Sequence, residues 1–143
     1  MTIVACVDRS EHATEIIAEA VRLGEAFDDR IHAVHVLSKD EFVDLQQTSV
    51  KDTGAEVSAG RIESLAAEIA ADALADAGAS GEAVGLVGDP ASEIVGYAAD
   101  LDARYVVLGG RNQSRVGKAL FGSVAQSVLL DSALPAVLVR STE

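Results

Sequence analysis

Apolar residues fall into two alternating patterns along the chain. Thr2 to Val7 is a β-branched-rich apolar run without polar alternation, which is how a strand covered on both faces reads. Arg30–Leu37, Ala83–Val87, Arg104–Leu108 and Ala136–Val139 read the same way, the last preceded by Pro135. Between them the period changes to that of a helix. Ala13, Ile16, Ile17, Ala20, Val21, Leu23 and Gly24 form one face leading to Phe27, with Ser10 as the expected N-cap, Glu11 in the first turn and Asp28-Asp29 as the break. Val57 to Ala77 is Ala-rich, with Ile62, Leu65, Ala66, Ile69, Ala73 and Leu74 on one face and Gly78 as the stop. Asp89 caps and Pro90 opens a helix through Ala91, Ile94, Val95 and Ala98 that ends near Asp100. Ser123-Val124-Ala125-Gln126 has the form of a capping box for a helix running to about Asp131. Residues 38–60 are polar and mixed. Phe42, Val43 and Leu45 suit one helical turn there, but the pattern decides no conformation.

Five strands alternating with helices predict an α/β fold, a parallel sheet with helices on both faces reached by right-handed crossovers. No internal repeat or linker divides the sequence, so residues 1–143 are read as one domain. Two strand orders fit, 2-1-3-4-5 and 3-2-1-4-5. In such sheets ligands bind outside the carboxyl ends of strands where the winding reverses. In the second order that point lies between strands one and four, where Asp8 to Ser10 and Gly109 to Gly122 would meet.

Composition narrows this picture. Hydrophobic residues make up 49% and aromatics 3%, so Ala, Val, Leu and Ile must build the core, which suits layered helix-on-sheet packing. The formal net charge of -12 argues against nucleic acid or an anionic membrane as main partner, since both select a basic surface. Three Lys against eight Arg in so acidic a chain point to a halophilic, high-salt cytoplasm, which predicts a thermal stability that depends on KCl up to molar concentration. The longest apolar runs are strand-sized and no basic leader opens the sequence, so a cytoplasmic location is expected. Cys6, the single cysteine, reads as a small buried hydrophobe.

The most informative stretch is 108–123, Leu-Gly-Gly-Arg-Asn-Gln-Ser-Arg-Val-Gly-Lys-Ala-Leu-Phe-Gly-Ser. A glycine-rich loop that leaves a strand and ends at a helix start offers backbone N–H groups and a helix dipole to an anion. From Ala103 to Leu130 there is no acidic residue but Arg104, Arg111, Arg115 and Lys118; taking that +4 from -12 leaves -16 on the rest. A P-loop reading fails, because Asn112 to Ala119 lacks the first glycine and Ala119 stands where the metal-binding hydroxyl belongs. A phospho-receiver, with Asp8 serving a metal site after strand one, stays an alternative, although it needs a carboxylate directly after strand three, where the chain has Gly88 and then Asp89.

End to end, the sequence resembles the universal stress protein family, whose ATP binders carry Gly-x2-Gly-x9-Gly-Ser/Thr between strand four and the last helix. Gly109, Asn112, Gly122 and Ser123 reproduce that spacing. Asp8-Arg9-Ser10, His35-Val36, Val87-Gly88-Asp89-Pro90 and the closing Leu134-Pro135-Ala136-Val137-Leu138-Val139 fit as well. The resemblance implies the order 3-2-1-4-5 of the adenine nucleotide alpha hydrolase-like, Rossmann-like fold, a homodimer through the last strand from Ala136 to Val139, and an adenine nucleotide as ligand: ATP with Mg or Mn. It puts Asp8 near the ribose or the metal, Ser10 in the same loop, Val36 backbone against the adenine, and Gly109, Arg111, Asn112, Gly122, Ser123 and Val124 around the phosphates. Asn112 departs from the family's second glycine; Asn tolerates left-handed φ, but its side chain fills space near the ligand. The alternative is a family member without nucleotide that acts through protein contacts. No nucleophile, base and orienter come together in the sequence, so at most slow ATP hydrolysis or self-phosphorylation is expected. His12 is expected on a helix surface, His32 and His35 in strand two, and Tyr97 and Tyr105 as packing residues.

Overall fold

A computed structural model of the chain describes residues 1–8, 11–55, 58–110 and 123–140. Its elements run β1 (Thr2–Cys6), α1 (His12–Phe27), β2 (Arg30–Leu37), α2 (Lys39–Thr53), α3 (Ala59–Asp76), β3 (Glu82–Val87), α4 (Pro90–Asp100), β4 (Tyr105–Gly110), α5 (Ser123–Asp131) and β5 (Ala136–Arg140). All strand pairs are parallel and the order is β3-β2-β1-β4-β5. The second of the two orders is therefore the real one. β1 lies at the centre, and β3 and β5 form the two edges.

The unalternating strands follow from this layering. Ile3, Ala5 and Val7 face α1 and α3, together with Ala13, Ile16, Ile17, Ala20, Ala70, Ala73 and Leu74. Val4, in between, faces α4 and α5 with Ile94, Ala98 and Val128. Ile3, Val4 and Ala5 are each fully buried, so both faces of β1 lie under helices. With so few aromatics the layers approach closely. Gly85 in β3 shows how closely: a Cβ there would lie 2.2 Å from the Glu63 carbonyl oxygen and 2.4 Å from the Ala67 nitrogen of α3.

The undecided stretch contains a full helix. Ser38 caps α2 through the Glu41 N–H at 3.2 Å, and the Glu41 carboxylate reaches back to the Ser38 N–H at 3.4 Å. α2 buries no residue; Phe42 and Leu45 are only half covered, against Leu37, Ile62 and Ala66. Local capping defines this helix, which explains why its apolar period is weak. The other stops behave as read: Asp28 ends α1 in the left-handed region at φ 57°, and Gly78 follows α3 at φ 63°. Asp89 accepts from the Ser92 N–H at 3.0 Å, with Pro90 opening α4.

Candidate nucleotide crevice at the strand ends

The winding reverses between β1 and β4, which pair side by side from Ile3↔Tyr105 to Ala5↔Val107. Three predicted site residues come together at carboxyl ends of adjacent strands: Asp8 after β1, Val36 in β2 and Gly109 in β4. Asp8 is exposed, whereas Val36 is buried, its side chain among the core residues under α4. Val124, in the first turn of α5, packs half-buried on that same core. Ser123 is the first described residue of α5, so it stands within the helix and not one position before it. Ser10, Arg111, Asn112 and Gly122 lie outside the described residues.

Ser10, the expected cap of α1, lies outside the described residues; Glu11, which follows it in helical conformation at φ -63° and ψ -22°, makes no capping hydrogen bond with its side chain. The first turn of α1 lies at the crevice, so the helix dipole puts a partial positive charge at the Asp8 end of the sheet. One expectation at this end changes. His12 is not a surface residue. Its ring lies between α1 and the sheet, Nε2 2.9 Å from the Val139 carbonyl oxygen and Nδ1 3.0 Å from a Glu15 carboxylate oxygen. It also accounts for Gly109, where a Cβ would come within 2.7 Å of His12 Cδ2 and 2.9 Å of Ile16 Cδ1. The first glycine of the motif is thus demanded by helix-on-sheet packing. No apolar period reveals this, because the partner is a histidine in the first turn of a different element.

His35 and Val7 form the second unforeseen arrangement. His35 is 6% exposed, and its Nδ1 lies 2.8 Å from the Val7 carbonyl oxygen, at the residue before Asp8. Its Nε2 has no hydrogen-bond partner among the described residues. Cys6, beside it on β1, has its thiol pushed up to about 12 by burial, which keeps it protonated and unreactive at neutral pH.

Toward a cation, the described residues contain no cluster of three His, Cys, Asp or Glu. One carboxylate such as Asp8 suits a nucleotide-bound Mg²⁺, which keeps several waters and takes phosphate oxygens. A groove of about 410 Å³ borders Asp8 between α1 and α3, but Glu11, Asp72 and Asp76 line it too. Four carboxylates repel a triphosphate, so this groove is a poor seat for one. The opposite end of the sheet is closed by polar contacts. His32 Nδ1 lies 2.7 Å from the Tyr97 hydroxyl and its Nε2 3.1 Å from a Glu82 oxygen. Arg104 pairs with the buried Asp29 and covers the Phe27 ring at 4.4 Å. Tyr97 is therefore a hydrogen-bonding residue as well as a packing one. No described helix is long and apolar enough to cross a membrane.

Comparison with known proteins agrees with this geometry. The model of the Universal stress protein family matches residues 1–140. Universal stress protein MJ0531 of Methanocaldococcus jannaschii is 29% identical over 145 residues, covering 96% of this chain and 81% of that protein. Stress response protein NhaX of Bacillus subtilis is 38% identical over 55 residues, which span 38% of this chain and only 33% of its own length. A universal stress protein structure from Archaeoglobus fulgidus superposes with a TM-score of 0.65 at 28% identity, covering 96% of this chain and 97% of that one. One from the same organism in complex with dAMP gives 0.60 at 27% identity, covering 96% of each chain.

Proposed function

This chain belongs to the universal stress protein family, and on that premise we propose that it binds an adenine nucleotide, ATP with Mg²⁺ or Mn²⁺, as a regulatory module in a stress response. The observation that carries the reading is the winding reversal between β1 and β4, where Asp8, Val36 and Gly109 reach the carboxyl ends of adjacent strands. The Archaeoglobus relative solved with dAMP supports an adenine nucleotide as the ligand class. In this reading Asp8 meets the ribose or the cation and the backbone of Val36 meets the adenine. Gly109 and Val124 border the phosphates, and Ser10, Arg111, Asn112, Gly122 and Ser123 complete the cradle. β5 is a sheet edge, and a second copy covering Ala136–Val139 would remove that edge in a homodimer. The acid excess supports a high-salt cytoplasm as the setting.

One residue favours a second reading. Asn112 stands where the family's nucleotide binders have glycine, which fits a member that docks proteins with its basic loop. Calorimetric titration with ATP and Mg²⁺ at high KCl separates the two. A saturable heat that Gly122→Val abolishes without unfolding the protein supports the nucleotide; a flat thermogram from the wild type leaves the protein-contact reading.

A further inference from the structure

We propose that His35 is a positioning residue for Asp8, acting through the Val7 carbonyl; the inference rests on the nucleotide reading for its functional half. Regular pairing of β1 with β2 ends at Cys6↔Val34. One residue further on, both polar groups of Val7 are still held by β2. Its N–H donates to the Val34 carbonyl at 2.9 Å, and its own carbonyl accepts from His35 Nδ1 at 2.8 Å. A carbonyl oxygen only accepts, so Nδ1 carries a proton, and the ring takes the place of the backbone donor that another rung of the ladder would have supplied. The Val7–Asp8 peptide is planar, so fixing its oxygen fixes the direction in which Asp8 leaves the sheet.

Apolar burial alone does not explain a histidine at this place. Its neighbours on the same face of β2, Ile31 and Ala33, are apolar core residues. In the neutral ring Nε2 is an acceptor, buried and without a partner among the described residues. An aliphatic side chain would spare the stranded Nε2 but leave the Val7 carbonyl without its donor, so the bond to Val7 is the one distinct contribution of the histidine. What the histidine supplies is a donor at a defined height above β2. The ring has little room to turn, because His35 pairs in register with Gly85, whose side-chain space belongs to α3.

The test compares His35→Asn, which keeps a donor at the height of Nδ1, with His35→Leu, which keeps bulk and has none. Two readouts are needed, amide hydrogen exchange at Val7 and Asp8 in the nucleotide-free protein, and the affinity for ATP with Mg²⁺. We expect exchange at both amides to speed up and ATP to bind on the order of tenfold more weakly in His35→Leu. His35→Asn should restore most of both. If His35→Leu does not fold, His35→Gln replaces it, since its longer side chain carries the amide past the Val7 carbonyl. Unchanged exchange in the donor-less variant overturns the proposal, as does a loss that His35→Asn fails to restore. A wild type that gives no heat with ATP refutes the nucleotide reading alone, and the exchange measurement then still decides whether His35 holds Asp8.

Discussion

The two halves of the sheet carry glycines under helices for the same geometric reason but with different partners. In the β2–β3 half, Gly85 faces the backbone of α3, with Glu63 oxygen and Ala67 nitrogen inside 2.5 Å of where a Cβ would stand. In the β1–β4 half, Gly109 faces the side chains of His12 and Ile16. The loop exits differ in the same way. β2 leads into a full capping box at Ser38, and β3 leads into Gly88, the Asp89 cap and Pro90, whereas before α1 the side chain of Glu11 makes no capping bond and Ser10 lies outside the described residues. One half is closed by backbone contact and saturated caps. The other is closed by side chains that can shift, at the winding reversal where ligands bind in such sheets.

The strongest test of this contrast is Gly85→Ala. A Cβ between two backbone atoms of α3 has no side chain to push aside, so the helix itself must lift from β3. A loss of about 3 kcal/mol is expected in denaturant unfolding, at the top of the range for overpacked cores. A loss below about 0.5 kcal/mol would remove the distinction between the halves.

Gly109→Ala should cost less, about 1–2 kcal/mol, because a histidine ring and an isoleucine methyl can shift. The sharper measurement is the double-mutant cycle with His12→Ala. If packing is the reason for this glycine, Gly109→Ala is nearly neutral once the ring is gone, a coupling on the order of 1 kcal/mol. Additive losses would return Gly109 to the role the sequence motif suggests, close approach of backbone to a phosphate.

That difference also marks what the sequence makes legible. Five unalternating runs, the Asp28 and Gly78 stops and the Asp89-Pro90 start are local signals, and each is found where its chemistry puts it. The order β3-β2-β1-β4-β5 needed the family resemblance as well, since the βα pattern alone admits two windings. α2 was legible too, because Ser38-x-x-Glu41 is a capping box, but a helix that buries nothing has no apolar period to attract notice. At the crevice, sequence brought Asp8, Val36 and Gly109 to neighbouring strand ends. It could not supply His12 on Val139, 127 residues apart, or His35 on Val7, because contacts between elements leave no spacing to read.

The smallest expected effect concerns the caps, and it carries a sign. The Ser92 N–H holds the Asp89 carboxylate below its usual range, with Lys39 adding a lesser attraction. A depressed carboxylate contributes stability that is fully present above the ordinary unfolded value of about 3.9 and is lost as pH falls through the lower folded value. Asn caps a helix about as well as Asp but carries no charge for the dipole. Wild type should therefore exceed Asp89→Asn in thermal midpoint by a small constant margin from about pH 5 upward. That margin should close as the pH is lowered below the folded value. The Glu11 side chain makes no capping bond, so Glu11→Gln should change the neutral-pH midpoint less than Asp89→Ala does. An equal loss at the two positions would mean that the Glu11 carboxylate supports the start of α1 as strongly as the Asp89 cap supports α4.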